Sequence, residues 1–218
     1  MAQATDPTLD ELRLQLAPLI AEAAIFDGWS DAALVSASAA AGTDPAVARL
    51  AFEGGAIAMI EAWVASVDAK MESAFDREVL AQMPIRERIR ALVWFRLEAI
   101  FGLEEALRRA LAIQALPQNL ARTAKLGWSS ADKMWRLAGD TSTDYNHYSK
   151  RAILAGIYAA TLAVFVGDES EGKAETRAFL DRRIEGVMKF EKAKARWLKP
   201  RERFDPVRFL GRLRYPAR

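Results

Sequence analysis

The sequence predicts an all-α protein. Apolar residues recur at helical spacing through most of the chain, and no alternating run bounded by turn residues predicts a strand. Gly, Pro and clusters of Ser, Thr and Asp divide the chain into helical segments. The length of 218 residues allows one sizeable core. We therefore expect a single helical domain over residues 1–198, followed by a basic segment over residues 199–218.

Short helices with well-marked ends are predicted in the first quarter of the chain. A first helix over residues 9–26 is followed by Ser30, which suits the N-cap of a second helix, and by Gly42, which suits its end. Asp44, followed by a proline, suits the start of a third helix directly afterwards. A short helix, a glycine-containing turn and another short helix are the spacing of a helix-turn-helix, which we place within residues 8–53.

Longer amphipathic patterns follow and predict a helical bundle over residues 54–198. One long helix is expected from Gly55 to just before Pro84, and further helices are expected over residues 85–101, 104–115 and 120–138. Gly167-Asp168 then turns the chain into a last long helix that ends before Pro200.

The stretch from Gly139 to Tyr158 contains a helix stop, a polar turn and a helix start. Thr141 and Asp144 have the spacing of a capping box. No charged residue occurs over residues 152–167, which predicts a helix without a polar face in the middle of the fold. Aromatic, titratable and cationic side chains crowd its first turn, a mixture that is enriched at binding surfaces; they are Tyr145, His147, Tyr148 and Arg151.

The composition excludes several classes of site. The chain has no cysteine, so it forms no disulfide, thiolate nucleophile or Cys-ligated metal site. With a single histidine, His147, it cannot supply the two histidines of a zincin or of a bundle di-iron site. No nucleophile elbow or paired carboxylate cluster accompanies His147. We therefore expect no catalytic residue, no metal and no cofactor, and a histidine that hydrogen-bonds near the turn.

A helix-turn-helix before a long bundle is the layout of TetR-type regulators, so a ligand-responsive DNA-binding regulator is the alternative function. The charges argue against it, because Arg49 is the only basic residue between Gly28 and Glu53. The candidate recognition helix also lacks side chains that make bidentate base contacts, since it offers Ala46, Val47, Ala48, Leu50 and Ala51. We expect a degenerate helix-turn-helix and no nucleic-acid partner.

Two runs resemble a known family: DTSTDYNHYSKRAILAGIY at residues 140–158 and TRAFLDRRIEGVMKFEKAK at residues 176–194. GWSDAAL and FEGGA, nearer the start, agree more weakly. The chain is similar to bacterial forms of the accessory lipid-binding protein of ubiquinone (coenzyme Q) biosynthesis, coenzyme Q protein nine. The resemblance covers nearly the whole chain. It implies a TetR-like fold that does not bind DNA.

The resemblance also implies a function that is not enzymatic. Such a protein binds a polyisoprenoid quinone intermediate or a phospholipid in an apolar interior and presents the intermediate to the di-iron demethoxyubiquinone hydroxylase. The surface that contacts this hydroxylase maps onto Asp132, Met134, Leu137, Asp144, His147, Tyr148 and Arg151. Eukaryotic relatives carry Trp at the position of His147. From the residues alone, the alternative is that this group closes the core between two helices.

A lipid cavity requires apolar side chains beyond those that fill the core. The candidates for its lining are Met59, Trp63, Trp94, Leu97, Phe101, Leu154, Ile157, Tyr158 and Leu162. Because TetR-type regulators dimerise, a homodimer is one expected assembly, and a monomer is the other.

The C-terminal segment differs in charge from the rest of the chain. Residues 189–218 hold eleven Lys or Arg against three acidic residues, a net charge of +8, which leaves −6 for the preceding residues. A short helix is predicted here, with apolar side chains on one arc and arginines opposite. The residues that would contact a membrane are Val207, Arg208, Phe209, Leu210, Arg212 and Leu213. Nucleic acid is the competing partner, but the helical spacing of the apolar residues argues against it; the other alternative is a basic tail that packs on the bundle.

Location is predicted from the absence of sorting signals. The N-terminus is acidic and has neither an apolar signal region nor an Arg-rich transit pattern. No uncharged apolar run reaches about 18 residues, so no transmembrane span is predicted. We expect a cytoplasmic protein bound peripherally to the inner face of the bacterial inner membrane.

Overall fold

The computed structural model describes residues 7–142 and 145–198, and within them it contains helices and no strand. The predicted all-α class is therefore confirmed. The ten α-helices of the described residues are α1 Leu9–Asp27, α2 Asp31–Ala41, α3 Pro45–Ala51, α4 Gly55–Ala74, α5 Arg77–Ala81, α6 Ile85–Glu98, α7 Glu104–Gln114, α8 Leu120–Leu137, α9 Tyr145–Gly167 and α10 Ala174–Leu198. Short 3-10 turns precede α8 and α10.

Local capping fixes the ends of the first helices as predicted. The Ser30 hydroxyl accepts a hydrogen bond from the Ala33 amide at the start of α2, and Gly42 ends that helix in the left-handed conformation at φ 67°. The Asp44 carboxylate accepts from the Ala46 amide at 2.7 Å and begins α3. Helices α2 and α3 thus form the predicted helix-turn-helix.

The helix expected to run from Gly55 almost to Pro84 is shorter than predicted. Phe75 has an extended backbone that ends α4 at Ala74. Asp76 then caps the separate helix α5 through a 2.7 Å hydrogen bond from the Glu78 amide. Because Phe75 keeps the helical spacing of the apolar residues, periodicity alone did not reveal this break.

Helix α1 joins the helix-turn-helix to the bundle. It packs against α2, α3, α4 and α7, and its Leu16 and Ile20 are fully buried. Trp29, in the turn after α1, donates from its indole nitrogen to the Ala106 carbonyl at 2.9 Å, and its ring lies 5.3 Å from that of Trp63. The N-terminal helices therefore share one core with the bundle.

Helix α9 is less buried than predicted. Leu154, Thr161 and Phe165 are buried, whereas a stripe of alanine and glycine is exposed, at Ala152, Gly156, Ala159, Ala163 and Gly167. The expectation of a helix in the middle of the fold was wrong, because the absence of charge here reflects small residues at the surface. The predicted capping box cannot be assessed, since Asp144 lies outside the described residues.

By length and composition alone, α9 could cross a membrane. The window His147–Gly167 qualifies although 28% of it is buried within the fold. The sequence analysis required an uncharged apolar run, and this window did not meet that requirement because it includes Lys150 and Arg151. Core helices of soluble proteins also have this composition, and α9 packs against α6, α7 and α8. The composition of α9 therefore does not assign it to a membrane.

The chain divides into two compact units. The first comprises residues 1–181 and contains α1 to α9 and the first turns of α10. The second comprises residues 182–218, of which the structure describes the rest of α10. The predicted boundary at residue 198, and with it the separate terminal segment, stays a prediction.

Candidate functional site

A cavity of about 160 Å³ lies between α4, α6, α7, α8 and α9. Helices α4, α7, α8 and α9 contribute apolar side chains and α6 contributes Arg96, so the lining is mostly hydrocarbon. The lining residues are Ile60, Trp63, Val64, Val67, Arg96, Ile100, Leu107, Ala110, Leu111, Gln114, Thr123, Leu126, Gly127, Ser130, Ala155, Tyr158, Ala159 and Leu162. A cavity of this lining and size is the kind of site that binds a small apolar group.

The structure brings three of the nine predicted lipid-binding residues to this cavity, namely Trp63, Tyr158 and Leu162. The other six lie elsewhere. Met59, Leu97 and Leu154 are buried in the core, and Ile157 is half-buried. Trp94 packs under the guanidinium of Arg177 at 3.7 Å, and Phe101 is 42% exposed and stacks on Phe165.

A buried polar cluster that the sequence analysis missed forms part of the cavity wall. Arg96 and Ser130 line the cavity, and Arg96 pairs with Asp68. One sequence signal points to this cluster. Asp68 follows Val64 by four residues and Arg96 follows Leu92 by four, so both charges fall on the apolar faces of their helices.

An aromatic cluster, defined by Trp128, His147 and Tyr148, lies where α8 meets the start of α9. The ring centroids of Trp128 and Tyr148 are 6.0 Å apart, and those of His147 and Tyr148 are 5.1 Å apart. Tyr148 is 61% exposed. His147 Nδ1 lies 2.9 Å from the Ser142 carbonyl oxygen, as expected for a histidine that hydrogen-bonds near the turn.

Several predicted hydroxylase-contacting residues are buried. Met134 is fully buried, and Leu137 and Arg151 are also buried. Arg151 donates to Asp132 at 2.5 Å and to Asp140 at 3.0 Å, so it links α8, the turn and α9. Asp144 lies outside the described residues, as do Val207, Arg208, Phe209, Leu210, Arg212 and Leu213 of the predicted membrane segment.

The pKa of Asp140, which accepts hydrogen bonds in this network, is strongly shifted. Burial raises the pKa of Asp140, but hydrogen bonds from Lys150, Ser142 and Arg151 outweigh it and lower the pKa to about 2. Asp140 therefore remains ionised at neutral pH and holds the turn against both helices.

We expect Asp140 to make stability depend on acid. Its folded pKa lies below the unfolded value, so its contribution is present above about pH 4 and is lost as pH falls towards about 2. Asp140→Asn should remove about 2 kcal/mol at pH 7 and flatten this part of the pH profile. Urea unfolding of both proteins between pH 2 and pH 7 measures the effect. Parallel pH profiles would contradict the assignment.

The candidate recognition helix offers no free cation. Arg49, its basic residue, donates to both carboxylate oxygens of Asp31 at 2.7 and 2.8 Å. These hydrogen bonds lower the pKa of Asp31 and keep it ionised. A phosphate would have to compete with this pair, which supports the expectation of a helix-turn-helix without DNA binding.

Among the described residues, no group of three or more His, Cys, Asp or Glu is placed to hold a metal.

Comparison with solved structures identifies the fold. The TetR transcriptional regulator from Nitrosomonas europaea superposes with a TM-score of 0.64 at 20% sequence identity, covering 80% of this chain and 96% of that one. The predicted TetR-like fold is confirmed.

Comparison of sequences identifies a family domain. Residues 120–191, which include α8 and α9, match the COQ9 family model. The ubiquinone biosynthesis protein COQ9, mitochondrial, of Rattus norvegicus is 34% identical over 168 residues, which are 74% of this chain and 54% of the relative. The Homo sapiens protein of the same name is 31% identical over 74% of this chain and 52% of its own length. The chain thus spans about half the length of these relatives. Residues 120–191 therefore form a COQ9 family domain, and over 168 residues the chain is similar to these COQ9 proteins.

Proposed function

We propose that this protein is a non-enzymatic, lipid-binding accessory protein of ubiquinone biosynthesis. It binds a polyisoprenoid quinone intermediate at the membrane surface and presents it to the di-iron demethoxyubiquinone hydroxylase. The observation that carries the proposal is the apolar cavity within a chain that contains a COQ9 family domain. The relatives are named as mitochondrial ubiquinone biosynthesis proteins, which supports the same pathway here.

The size of the cavity limits what it can hold. An engineered apolar cavity of about 150 Å³ in another protein binds benzene. A cavity of about 160 Å³ therefore has room for about one ring or a comparable length of chain, and not for a whole polyisoprenoid lipid. One end of the lipid enters the cavity, and the rest lies outside it.

The identity of the ligand can be tested directly. The protein, purified from cells that make ubiquinone, is extracted with organic solvent, and the extract is analysed by mass spectrometry. We expect a prenylated quinone or phenol in a defined ratio to protein. Finding neither above the level extracted from an unrelated helical protein would overturn the lipid-binding role.

Docking on the hydroxylase is assigned to the aromatic cluster. Exposed aromatic side chains that pack on one another are frequent hot spots, and Tyr148 has the largest exposed fraction of the three. The buried Arg151 supports this surface, because its guanidinium donates to the His147 carbonyl at 3.1 Å. Tyr148 and His147 therefore make the contact, while Arg151 positions them.

We expect Tyr148→Ala to weaken hydroxylase binding about 10- to 100-fold without loss of helicity, as for a hot-spot residue. Pull-down or calorimetry with the purified hydroxylase measures the change. Phe26→Ala is the matched control, because Phe26 is an exposed aromatic residue on α1 at 81% exposure. Equal effects of the two substitutions would show that the docking surface is wrongly placed.

Membrane attachment is assigned to the C-terminal segment, on the inner face of the bacterial inner membrane. Its support comes from the sequence, since each basic residue near an anionic surface contributes about 1 kcal/mol. We expect co-sedimentation with anionic vesicles that weakens at high salt and is lost on truncation after Leu198. Unchanged binding by the truncated protein would assign the attachment to the remaining residues.

A further inference from the structure

A closed set of buried polar groups forms one part of the cavity wall. Asp68, Arg96 and Ser130 are each at most 2% exposed. Arg96 Nη1 donates to Asp68, Arg96 Nη2 donates to the Ser130 hydroxyl at 3.2 Å, and this hydroxyl lies 3.4 Å from the second Asp68 oxygen. The Lys133 ammonium lies 3.2 Å from the same Asp68 oxygen. These contacts fix the guanidinium in one orientation.

One hydrogen-bond donor of this cluster has no acceptor. Among the residues that the structure describes, Arg96 Nε is the only buried side-chain nitrogen or oxygen without a hydrogen-bond partner. A buried donor without a partner is unfavourable, and such groups usually mark an acceptor supplied by water or a ligand. Arg96 lines the cavity, and a ligand there can supply that acceptor once neighbouring side chains shift, because the Nε atom itself has almost no accessible surface.

The charges around Arg96 indicate what kind of acceptor it meets. Asp68 already neutralises the guanidinium, and Lys133 is one-third exposed and screened by water. A neutral oxygen therefore suits the site better than a phosphate, which would bring its charge close to the Asp68 carboxylate. Carbonyl and phenolic oxygens fit this requirement.

The cavity also favours a flat ring. The Tyr158 ring lies 4.8 Å from the Arg96 guanidinium carbon, and the Trp63 indole contributes to the same lining. Aromatic side chains pack on rings in offset or edge-on arrangements, and the volume matches one ring. An isoprenoid tail would fill the space but would leave the Arg96 donor unpaired.

We propose that the cavity takes the head group of its ligand, a six-membered ring that carries a carbonyl or phenolic oxygen, and that Arg96 donates a hydrogen bond from Nε to that oxygen. This inference rests on the proposed lipid-binding function and decides which end of the lipid enters the cavity. Arg96 is then a specificity-determining residue, and the tail stays outside.

Two tail-less probes test the proposal on the full chain by calorimetry. One is methyl-1,4-benzoquinone, and the other is 1,2,4-trimethylbenzene, which has the same shape with methyl groups in place of the two carbonyl oxygens. We expect the quinone to bind at least about 10-fold more tightly, the effect of one buried hydrogen bond. Equal affinity of the two probes for the unaltered protein would overturn the proposal.

A paired substitution isolates the donor. Asp68→Leu with Arg96→Met replaces the whole ion pair by apolar side chains, a change that buried pairs often tolerate. We expect this variant to lose the roughly 10-fold preference for the quinone over trimethylbenzene. Arg177→Met, which removes an arginine outside the cavity lining, should alter neither affinity. A quinone preference retained by the folded double variant would contradict the role of Arg96.

The outcomes separate this inference from the proposed function. If an isoprenoid lipid is extracted from the protein but the ring probes bind equally, the head group is not the buried end, and only the present inference fails. If no lipid is extracted, the proposed function itself fails, whatever the ring probes show.

Discussion

Arg96→Ala is expected to lower the free energy of unfolding by about 3–5 kcal/mol, the cost of removing one partner of a buried ion pair. Asp68 is 2% exposed, and without Arg96 its carboxylate keeps only the partly exposed Lys133 and the Ser130 hydroxyl as partners. Burial of a poorly compensated charge is the reason for the large effect. Urea denaturation followed by circular dichroism measures it.

The double substitution Asp68→Leu with Arg96→Met is the control for this effect. It leaves no buried unpaired charge, because Lys133, which loses its Asp68 partner, is one-third exposed to water, so it should recover most of the lost stability. A loss below about 1 kcal/mol for Arg96→Ala would mean that water reaches the pair, and the account of a closed polar wall would be wrong.

Met134→Ala is expected to cost about 2–5 kcal/mol, the range for shortening a large buried apolar side chain. Met134 on α8 has no exposed surface and belongs to the hydrophobic core. The loss combines the removed hydrophobic contacts with the cavity left behind. Thermal or urea unfolding of the purified variant measures it.

Tyr148→Ala is the comparison, because Tyr148 belongs to the same predicted docking surface but is 61% exposed. We expect its stability to change by no more than about 0.5 kcal/mol. A stable Met134→Ala protein would contradict the burial of this residue. The difference matters for docking experiments, since loss of hydroxylase binding by Met134→Ala would report unfolding as well as contact.

The helix ends could be predicted from sequence because they are set by residues close together in the chain. Ser30, Gly42 and Asp44 satisfy backbone groups within four residues of themselves. The spacing of apolar residues also located most helices, since one face of each packs on the core. The break at Phe75 was missed because the helical spacing of apolar residues continues through it, although its backbone is extended.

The candidate site was harder to predict because its contacts join residues far apart. Arg96 is 28 positions from Asp68 and 34 from Ser130, and no local pattern pairs them. Trp128 and Tyr148 share a cluster only because α8 and α9 pack together. In α9, uncharged residues can be either buried apolar residues or small exposed ones, and the absence of charge does not distinguish the two. The exposed stripe at Gly156 was therefore expected to be buried.

Gly127 offers the means to test the cavity itself. It lies within α8 and lines the cavity, and a Cβ added there meets no atom within 4 Å. A leucine at this position would fill the cavity, and replacing a helical glycine should preserve or raise stability by up to about 1 kcal/mol. Gly186→Leu is the matched control, because Gly186 is an exposed glycine in α10 with equally open surroundings.

The decisive measurement is the amount of isoprenoid lipid extracted per mole of the unaltered protein, of Gly127→Leu and of Gly186→Leu, purified from the same cells. We expect the unaltered protein and Gly186→Leu to carry the same amount, and Gly127→Leu to carry about 10-fold less, since the added side chain occupies the space of the ligand. A folded Gly127→Leu protein that carries as much lipid as the unaltered one would contradict the assignment of the cavity as the lipid site.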